Sequence, residues 1–395
     1  MINKGTKVDF AYTDIQNVIK ESLERTCKYF DDQYWLRIDE SGEFPEEFYQ
    51  KMATDGWLGI CIPEEFGGSG YGVLEAAIMM RAISESGAGM SGSSSIHINI
   101  FGLKPVEVYG NKEQKERMLL PIVTGSEKAC FGVTEPDAGL NTTQLKLRAT
   151  KVGDRYRVNG QKIWISTAQV ADNILLLART TPLEEVEKST EGLSLFYTKL
   201  DRQKVHIREI AKMGRHAVDS NELFFDDFEI PETDLIGEEG KGFNYILYGL
   251  NPERILIAAE AIGLGMAALR KASDYARERV VFNRAIGKNQ AIQHPLAASW
   301  AELQATWLQV LKAAWLYDKG LPCGADANAA KYLAGEAGFK ACERAVMTHG
   351  GFGYAREYHV ERYLREIMIP RIAPVSPQLA LCYIAERVLN LPKSY

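Results

Sequence analysis

The strongest constraint on the fold of this chain is a change in the spacing of its apolar residues. Over residues 14–29 they recur every three or four positions, as on one face of an amphipathic helix. Over about residues 129–231 they alternate, which is typical of strands with one buried face. Beyond about residue 242 the helical spacing returns, as in the stripe Leu296, Trp300, Leu303, Trp307, Val310 and Ala314. The pattern predicts helices, then a β insert, then helices.

The β region contains several short strand-like segments with no helical pattern between them. Segment 155–165 carries Asn159-Gly160, the strongest short-range signal for a hairpin. Further strands are predicted at 173–178, 193–198, 205–210 and 223–225, and Pro231 closes the region. This spacing favours an antiparallel barrel or sandwich over a parallel sheet.

Composition excludes several classes of protein. With 46% hydrophobic and 25% charged residues in 395, the chain has an ordinary globular composition, so disorder or a fibrous repeat is not expected. The formal net charge of −6 argues against nucleic-acid binding through phosphates and against a polybasic membrane anchor. No signal-peptide pattern and no bilayer-length uncharged apolar run is found. A cytoplasmic protein is expected, or a mitochondrial matrix protein if the source is a eukaryote.

The common catalytic and metal-binding motifs do not account for the chain. It lacks H-E-x-x-H, the P-loop pattern and G-x-S-x-G. Its six cysteines form no C-x-x-C pair and are expected to be reduced and structural, and its six histidines show no metal spacing. Gly263-Leu-Gly265-Met-Ala-Ala268 matches a loose dinucleotide pattern, but it lies inside a helical segment, which favours close helix packing.

Two segments about twenty residues apart stand out as a candidate binding site. Segment 130–142 reads as a strand followed by a Gly/Pro turn, and segment 158–167 places Trp164 near Ser166. Exposed backbone N–H groups in the first and the indole face in the second could hold a flat polar ring. A hairpin loop and a core tryptophan explain the same residues, and physical reasoning alone favours that interpretation.

This pair of segments resembles the two flavin-binding signatures of the acyl-CoA dehydrogenase family. The resemblance covers nearly the whole chain, and its further matches are 63–68, 212–214, 279–282, Gln290, 349–354 and 363–365. It implies an α+β multidomain fold. An N-terminal α-helical domain spans residues 1–125, a middle antiparallel β-barrel domain 126–236 and a C-terminal four-helix bundle 237–395. It also implies bound FAD and a homotetramer built as a dimer of dimers.

The resemblance implies a set of cofactor-binding residues. Phe131, Val133 and Thr134 look like the strand lining the flavin ring, with Thr134 on the pyrimidine side, and Trp164 and Ser166 resemble the pair beside flavin N5. The remaining predicted residues resemble those that contact the pyrophosphate and adenine of FAD, some of them from a neighbouring subunit. They are Arg279, Phe282, Gln290, Gly350, Gly351, Ser376 and Gln378.

The implied reaction is α,β-dehydrogenation of an acyl-CoA thioester, which needs a base for the α-proton. In many members the base is a Glu near the C-terminus, but Pro374 occupies that position here and cannot accept a proton. The isovaleryl-CoA and long-chain branches place the base on a helix, immediately before an Arg. Glu253 precedes Arg254 in that way and is the predicted base, with Glu260 as a rival acid.

Predictions about the substrate are less specific. Leu140, Asn251 and Arg254 are the predicted substrate-binding residues, and Pro252 is expected to start or kink the helix carrying the base. His216 stands where the family usually has an Arg. Met79, Met80 and the serines at 91–95 are candidates for lining an acyl pocket; the alternative is that the serines are turn residues. The pocket interpretation favours a branched or medium-to-long acyl group.

The resemblance implies electron-transfer flavoprotein as the electron acceptor. Two alternatives use the same fold: a flavin-dependent monooxygenase or oxidase, and a non-catalytic relative. The Glu253-Arg254 pair favours the dehydrogenase, because an oxygenase needs no base for an acyl-CoA.

Overall fold

The computed structural model describes residues 10–394 and confirms the order of helices, sheet and helices. The helices are α1 (Asp14–Cys27), α2 (Asp32–Ser41), α3 (Glu46–Thr54), α4 (Val73–Ile83), α5 (Gly89–Phe101), α6 (Lys104–Tyr109), α7 (Lys112–Val123), α8 (Gly242–Glu278), α9 (Gln290–Asp318), α10 (Gly324–His349), α11 (Val360–Glu366), α12 (Met368–Ile372) and α13 (Pro377–Arg387). The strands are β1 (Ala129–Gly132), β2 (Arg148–Val152), β3 (Arg155–Ser166), β4 (Asn173–Arg179), β5 (Leu193–Lys199), β6 (Val205–Glu209), β7 (Ser220–Pro231), β8 (Leu235–Ile236), β9 (Val280–Val281) and β10 (Arg284–Ala285).

Helix α1 shows how local sequence fixes an element. Thr13 and Gln16 form a reciprocal capping box, which satisfies two backbone N–H groups at the start of the helix. Its buried face carries Ile19, Leu23 and Cys27, at the predicted helical spacing.

The middle sheet is mainly antiparallel, and its order is β6-β7-β3-β2-β4-β5-β8. Strand β1 pairs with β4 in parallel, so the purely antiparallel arrangement expected from the sequence is corrected here. Between residues 129 and 236 the hydrogen-bonded order does not close into a ring, so the predicted barrel is not confirmed.

The hairpin prediction at Asn159-Gly160 is wrong. Strand β3 continues through both residues, and the turn lies between β2 and β3, where Gly153 has a φ of 62°. Gly160, with φ 134°, forms part of a bulge against β7. The Asn159 side chain accepts from the Asp227 N–H at 2.9 Å across this bulge. A G1 bulge and a type I′ turn both place a residue at positive φ, so one Asn-Gly signal fits either.

The C-terminal helices share one core with the N-terminal helices. Helices α8, α9 and α10 pack together, and α4 and α5 pack on α8. A Cβ at Gly263 would lie 2.4 Å from the Arg81 carbonyl oxygen, and one at Gly265 would lie 2.8 Å from a Leu303 methyl. The helix-packing interpretation of these glycines is therefore confirmed. The predicted α9 stripe is buried except for Trp300, which is exposed.

Segment Val360–Arg387 is long and apolar enough to cross a bilayer by length and composition, which sequence reasoning did not anticipate. The segment is divided into α11, α12 and α13, and none of these helices has the roughly 20 residues that a span requires. All six cysteines are free, as expected. Within residues 10–394 no cluster of His, Cys, Asp and Glu side chains could hold a metal ion.

Candidate active site

Helix α8 carries the predicted base, and it runs through Pro252 without starting or ending there. The end of α5 approaches this part of α8 closely, since a Cβ at Gly249 would lie 2.8 Å from the Phe101 carbonyl oxygen. Arg254 donates to the Leu250 carbonyl at 3.1 Å and to the Asn251 side chain at 3.2 Å. The predicted base and two of its predicted substrate contacts therefore lie on adjoining positions of one helix.

The electrostatic surroundings of Glu253 suit a base that works near neutrality. Burial raises the pKa of Glu253 to about 7. His97, Arg254 and Lys331 oppose this rise with their positive charges, whereas Glu260 adds to it. A carboxyl group with this pKa is divided between its acid and base forms at physiological pH, which favours general acid–base chemistry.

Lys331 on α10 is a site residue that sequence reasoning missed. Its side chain is buried, and its ammonium group donates to the Val375 carbonyl, immediately after Pro374. Burial lowers the pKa of Lys331 to about 8, and the charge of Arg254 lowers it further. One feature of the sequence could have identified Lys331: it is a charged residue among the buried alanines of α10. Burying an unpaired charge is costly, so such a residue is more readily explained by a function.

The rival acid, Glu260, is fully buried and forms an ion pair with Nδ1 of His97 on α5. Burial disfavours the charge on His97, but the charge and hydrogen bond of Glu260 outweigh it and raise the pKa of His97. The His97 ring contacts Phe101 edge-on, and Phe101 contacts Phe131 at 5.2 Å between centroids. His97 thus links the base helix to the strand predicted to line the flavin.

Arg215, the residue before His216, brings a guanidinium group to the predicted flavin edge. Its guanidinium donates to the Ser166 hydroxyl at 3.0 Å, from a backbone with φ 57°. The His216 ring instead contacts the carbonyl oxygens of Asp39 and Lys212 at 3.0 and 3.2 Å. Burial lowers the pKa of Arg215, and Glu260 opposes this. The only sequence signal for the contact between Arg215 and Ser166 was the position of Arg215 next to His216.

A buried ion pair fixes the segment after β1 that carries Val133 and Thr134. The Lys162 ammonium contacts Glu135 at 2.9 Å and donates to the Val133 carbonyl at 2.8 Å. The Ile163 N–H donates to the Thr134 carbonyl at 2.9 Å. Burial lowers the pKa of Lys162 to about 8, and Glu135 counteracts this. These bonds join the two segments that the sequence singled out.

Trp164 is not a core tryptophan. The pairing of β3 with β7 shifts register between Lys162 and Ile165, and Trp164 adopts a φ of 61° within this irregularity. Its side chain is 57% exposed. A large aromatic residue held outward in a left-handed conformation is uncommon, and it offers a flat apolar face to a ligand.

Arg279, Gly350 and Gly351 lie together at a second region, around an open cavity of about 550 Å³. Tyr275, His349 and Phe352 also line this cavity. The Arg279 guanidinium lies over the Phe352 ring, 5.5 Å from its centroid. Two further predicted residues lie outside this lining. Phe282, in the turn between β9 and β10, is 94% exposed, and Gln290 begins α9.

The other predicted positions have different surroundings. The Ser376 hydroxyl caps α13 by accepting from the Leu379 N–H at 3.2 Å, and Gln378 and Leu140 are exposed. The residues predicted to line an acyl pocket are buried; they are Met79, Met80, Ser91, Ser93, Ser94 and Ser95. Ser91, for example, donates to Glu366 at 2.7 Å. These serines lie within α5, so the alternative that they are turn residues is wrong, and their place in an acyl pocket stays a prediction.

Three family models of acyl-CoA dehydrogenases match the chain in succession. The N-terminal domain matches residues 13–126, the middle domain residues 130–228 and the C-terminal domain residues 240–389. The chain belongs to the acyl-CoA dehydrogenase family. It is an oxidoreductase that uses FAD and dehydrogenates acyl-CoA.

Individual relatives agree with this assignment. The chain is 34% identical over 387 residues to the probable acyl-CoA dehydrogenase YngJ of Bacillus subtilis, which covers 97% of this chain and 100% of that protein. It is 34% identical over 357 residues to the CarC subunit of the caffeyl-CoA reductase–Etf complex of Acetobacterium woodii, with 89% and 92% covered. The solved structure of PigA with FAD matches with a TM-score of 0.91 and 26% identity, over 96% and 99% of the two chains.

The residues of this acyl-CoA dehydrogenase fit the cofactor. The exposed face of Trp164 suits a flat ring system. The cavity at Arg279 combines a guanidinium group with the bare backbone of Gly350 and Gly351, a combination that suits a diphosphate.

Proposed function

We propose that this acyl-CoA dehydrogenase converts an acyl-CoA to the trans-2-enoyl-CoA, with Glu253 as the general base. The observation that carries the proposal is the half-buried Glu253 carboxyl, whose pKa burial raises to about 7, beside Arg254 on α8. Pro374 cannot take this function, and Glu260 is already engaged by His97.

In the proposed reaction Glu253 removes a proton from the carbon next to the thioester carbonyl. The C–H electron pair forms the new double bond as the β-carbon loses a hydride. FAD, when bound, would supply the acceptor for that hydride. Arg254 and Lys331 lie beside Glu253 and favour its carboxylate form before the proton is taken.

The proposed cofactor contacts follow the two regions described above. Phe131, Val133, Thr134, Trp164 and Ser166 would hold the flavin ring. The nucleotide end would be held by Arg279, Phe282, Gln290, Gly350, Gly351, Ser376 and Gln378, some of them from a second subunit. The extreme exposure of Phe282, in a turn with φ 51°, supports a contact outside its own chain.

The acyl group is proposed to be branched or medium-to-long. The position of Glu253 on a helix, as in the isovaleryl-CoA and long-chain branches, supports this. Met79, Met80 and the small buried serines of α5 are the proposed lining of the acyl pocket. Leu140, Asn251 and Arg254 are the proposed substrate contacts.

Electron-transfer flavoprotein is the proposed electron acceptor, supported by the Etf complex named for the Acetobacterium woodii relative. A homotetramer is supported by large apolar residues exposed on α9, namely Trp300, Leu308 and Trp315. A cytoplasmic location completes the proposal.

The test is an anaerobic titration of the holoenzyme with butyryl-, isovaleryl-, octanoyl- and 3-phenylpropionyl-CoA. At least one of these is expected to bleach the flavin of the wild-type enzyme. Glu253→Gln is expected to retain FAD but to bleach about 10²–10⁴-fold more slowly, because it has lost its base. Glu343→Gln, an exposed carboxylate on α10, is the matched control and is expected to behave as wild type.

Unchanged bleaching in Glu253→Gln would eliminate the assignment of the base. If no acyl-CoA bleaches the flavin, and the reduced enzyme reacts rapidly with oxygen, the oxidase or monooxygenase alternative is favoured instead.

A further inference from the structure

Three charged side chains form a buried cluster between the base helix and the middle sheet, which we call the charged cluster: His97, Arg215 and Glu260. Glu260 is fully buried and pairs with His97 through one carboxylate oxygen. Its other oxygen, Oε2, finds no hydrogen-bond partner among residues 10–394. The cluster therefore holds more charge than its hydrogen bonds satisfy.

The charged cluster extends towards the predicted flavin edge. The Arg215 guanidinium donates to the hydroxyl groups of Ser166 and Ser220 at 3.0 and 3.4 Å. Glu260 and then Asp219 are the nearby charges that favour its ionised form. Arg215 thus contacts the serine predicted to lie beside flavin N5 and lies within electrostatic range of Glu260.

The other end of the charged cluster faces the proposed base. Glu253 and Glu260 are seven residues apart on α8, so they lie on the same helix face about 10 Å apart along the axis. His97 approaches this face from α5, and Lys331 approaches it from α10. With Arg254 on α8 itself, these are the charged groups that act on Glu253 from the elements packed around it.

Among these charged groups, His97 has the largest effect on Glu253 and favours its carboxylate form. Glu260 has two opposing effects. It repels the charge of Glu253 directly, and it also stabilises the positive charge of His97. Without its Glu260 partner, the buried His97 ring would lose its proton more readily, because burial alone disfavours the imidazolium ion.

A purely architectural function does not require these charges. Buried ion pairs are frequently replaceable by apolar residues of similar volume without loss of stability. Here the charges of His97 and Glu260 act on the proposed base, and Arg215 contacts Ser166 at the predicted flavin edge.

We infer that His97, held as an imidazolium ion by Glu260, is a positioning residue that keeps Glu253 in its carboxylate form for proton abstraction. The inference rests on the proposed function, because it takes Glu253 as the base. It assigns Glu260 to the support of His97 rather than to proton transfer.

The test compares His97→Gln, Glu260→Gln and the double variant His97→Gln/Glu260→Gln as holoenzymes. The rate of flavin bleaching by the fastest of the four acyl-CoA thioesters is measured from pH 6 to pH 9. His97→Gln leaves two carboxylates on one helix face without the cation. The acidic limb of the pH profile is the range in which the bleaching rate falls as the pH is lowered. In His97→Gln the midpoint of this limb is expected to shift to higher pH by about one unit.

That shift corresponds to about a tenfold loss of rate at low pH and little loss at high pH. Glu260→Gln is expected to give a smaller upward shift, because it removes a repulsive charge as well as the support of His97. In the double variant the limb is expected to return more than halfway to the wild-type position. His294→Gln, an exposed histidine on α9, is the matched control and leaves the profile unchanged.

A second measurement avoids turnover. The infrared band of protonated carboxyl groups is titrated in substrate-free holoenzyme, and the component missing in Glu253→Gln is assigned to that residue. The midpoint of this Glu253 component is expected to shift to higher pH in His97→Gln. In the double variant it is expected to return more than halfway to its wild-type value. Flavin spectra and melting temperatures identify variants that fail to fold, and Glu260→Gln then replaces His97→Gln as the single-site test.

A limb that stays in place in His97→Gln, or a double variant more impaired than either single variant at every pH, overturns the inference. If Glu253→Gln is inactive and the limb stays in place, only the inference fails. If Glu253→Gln retains wild-type bleaching, the proposed function itself fails.

Discussion

The two regions assigned to catalysis and to nucleotide binding are built on opposite principles. The surroundings of Glu253 are charged, and they bring together side chains from α5, α8 and α10. The cavity at Arg279 is open, and Gly350 and Gly351 expose their backbone to it. The openness of this cavity agrees with a proposed site that another subunit completes.

This difference predicts where substitutions act. Interior charges depend on one another, so removing one destabilises the fold as well as the chemistry. Residues around the open cavity have few neighbours, so removing one is expected to weaken ligand binding and leave the fold intact.

The largest effect is expected for Glu260→Ala. It removes the partner of His97 and a nearby counter-charge of Arg215, and leaving a buried charge unpaired costs about 3–5 kcal/mol of unfolding free energy. Urea denaturation of the FAD-free protein measures this. Glu343→Ala, on an exposed position of α10, is expected to change the free energy by less than about 0.5 kcal/mol. Equal values for the two variants would remove the contrast between the regions.

The next effect is expected for Arg279→Ala. The free energy of unfolding without FAD should hardly change, whereas FAD affinity should fall by about 10–100-fold, since a charged hydrogen bond contributes about 1.5–3 kcal/mol. Fluorescence titration of FAD measures the affinity. Arg277→Ala is the matched control, because Arg277 is exposed two residues earlier and pairs with Asp274. A loss of FAD affinity in Arg277→Ala as large as in Arg279→Ala would contradict the assignment.

A pH dependence of intermediate size is expected from Glu253. Because only the carboxylate accepts a proton, the rate of flavin bleaching should fall tenfold per pH unit below about 7 and level off above it. The limb reflects the burial that raises the pKa of Glu253. A limb centred near the ordinary glutamate value of about 4.3 would show that the base is not in this buried environment.

The smallest effect is expected at the two cavity glycines. Among the described residues nothing lies within 4 Å of a Cβ built at either position, but Gly350 has a φ of 60°. Gly350→Ala should therefore cost about 1 kcal/mol of backbone strain, and Gly351→Ala less than about 0.5 kcal/mol. Thermal melting of the FAD-free protein separates them. Equal melting temperatures would mean that the backbone at 350 relaxes.

Local signals account for what the sequence could predict. The order of helices and sheet follows from apolar spacing, and Gly263 is found at a helix contact because its pattern lies within a helical segment. Trp164 is different, since physical reasoning favoured a core position and the structure exposes it at an irregularity of β3. Asn159-Gly160 misled for a related reason, because positive φ serves bulges as well as hairpins.

The charged cluster could not be read from the sequence in the same way. His97, Arg215 and Glu260 are separated by more than forty residues at each step, and no local period connects them. Their proximity results from the packing of α5 on α8 and from the backbone conformation at Arg215. Lone charged residues within apolar helical faces are the signal that directs attention to such clusters.

The exchange of the α-hydrogens of the acyl-CoA tests most directly whether Glu253 is the base. The acyl-CoA that bleaches the flavin fastest is incubated anaerobically in D₂O with holoenzyme, and deuterium at its α-carbon is followed by mass spectrometry. The wild-type enzyme and Glu343→Gln are predicted to exchange these hydrogens, and Glu253→Gln to do so at least about 10²-fold more slowly. Exchange by Glu253→Gln at the wild-type rate, with FAD and acyl-CoA still bound, would contradict the account.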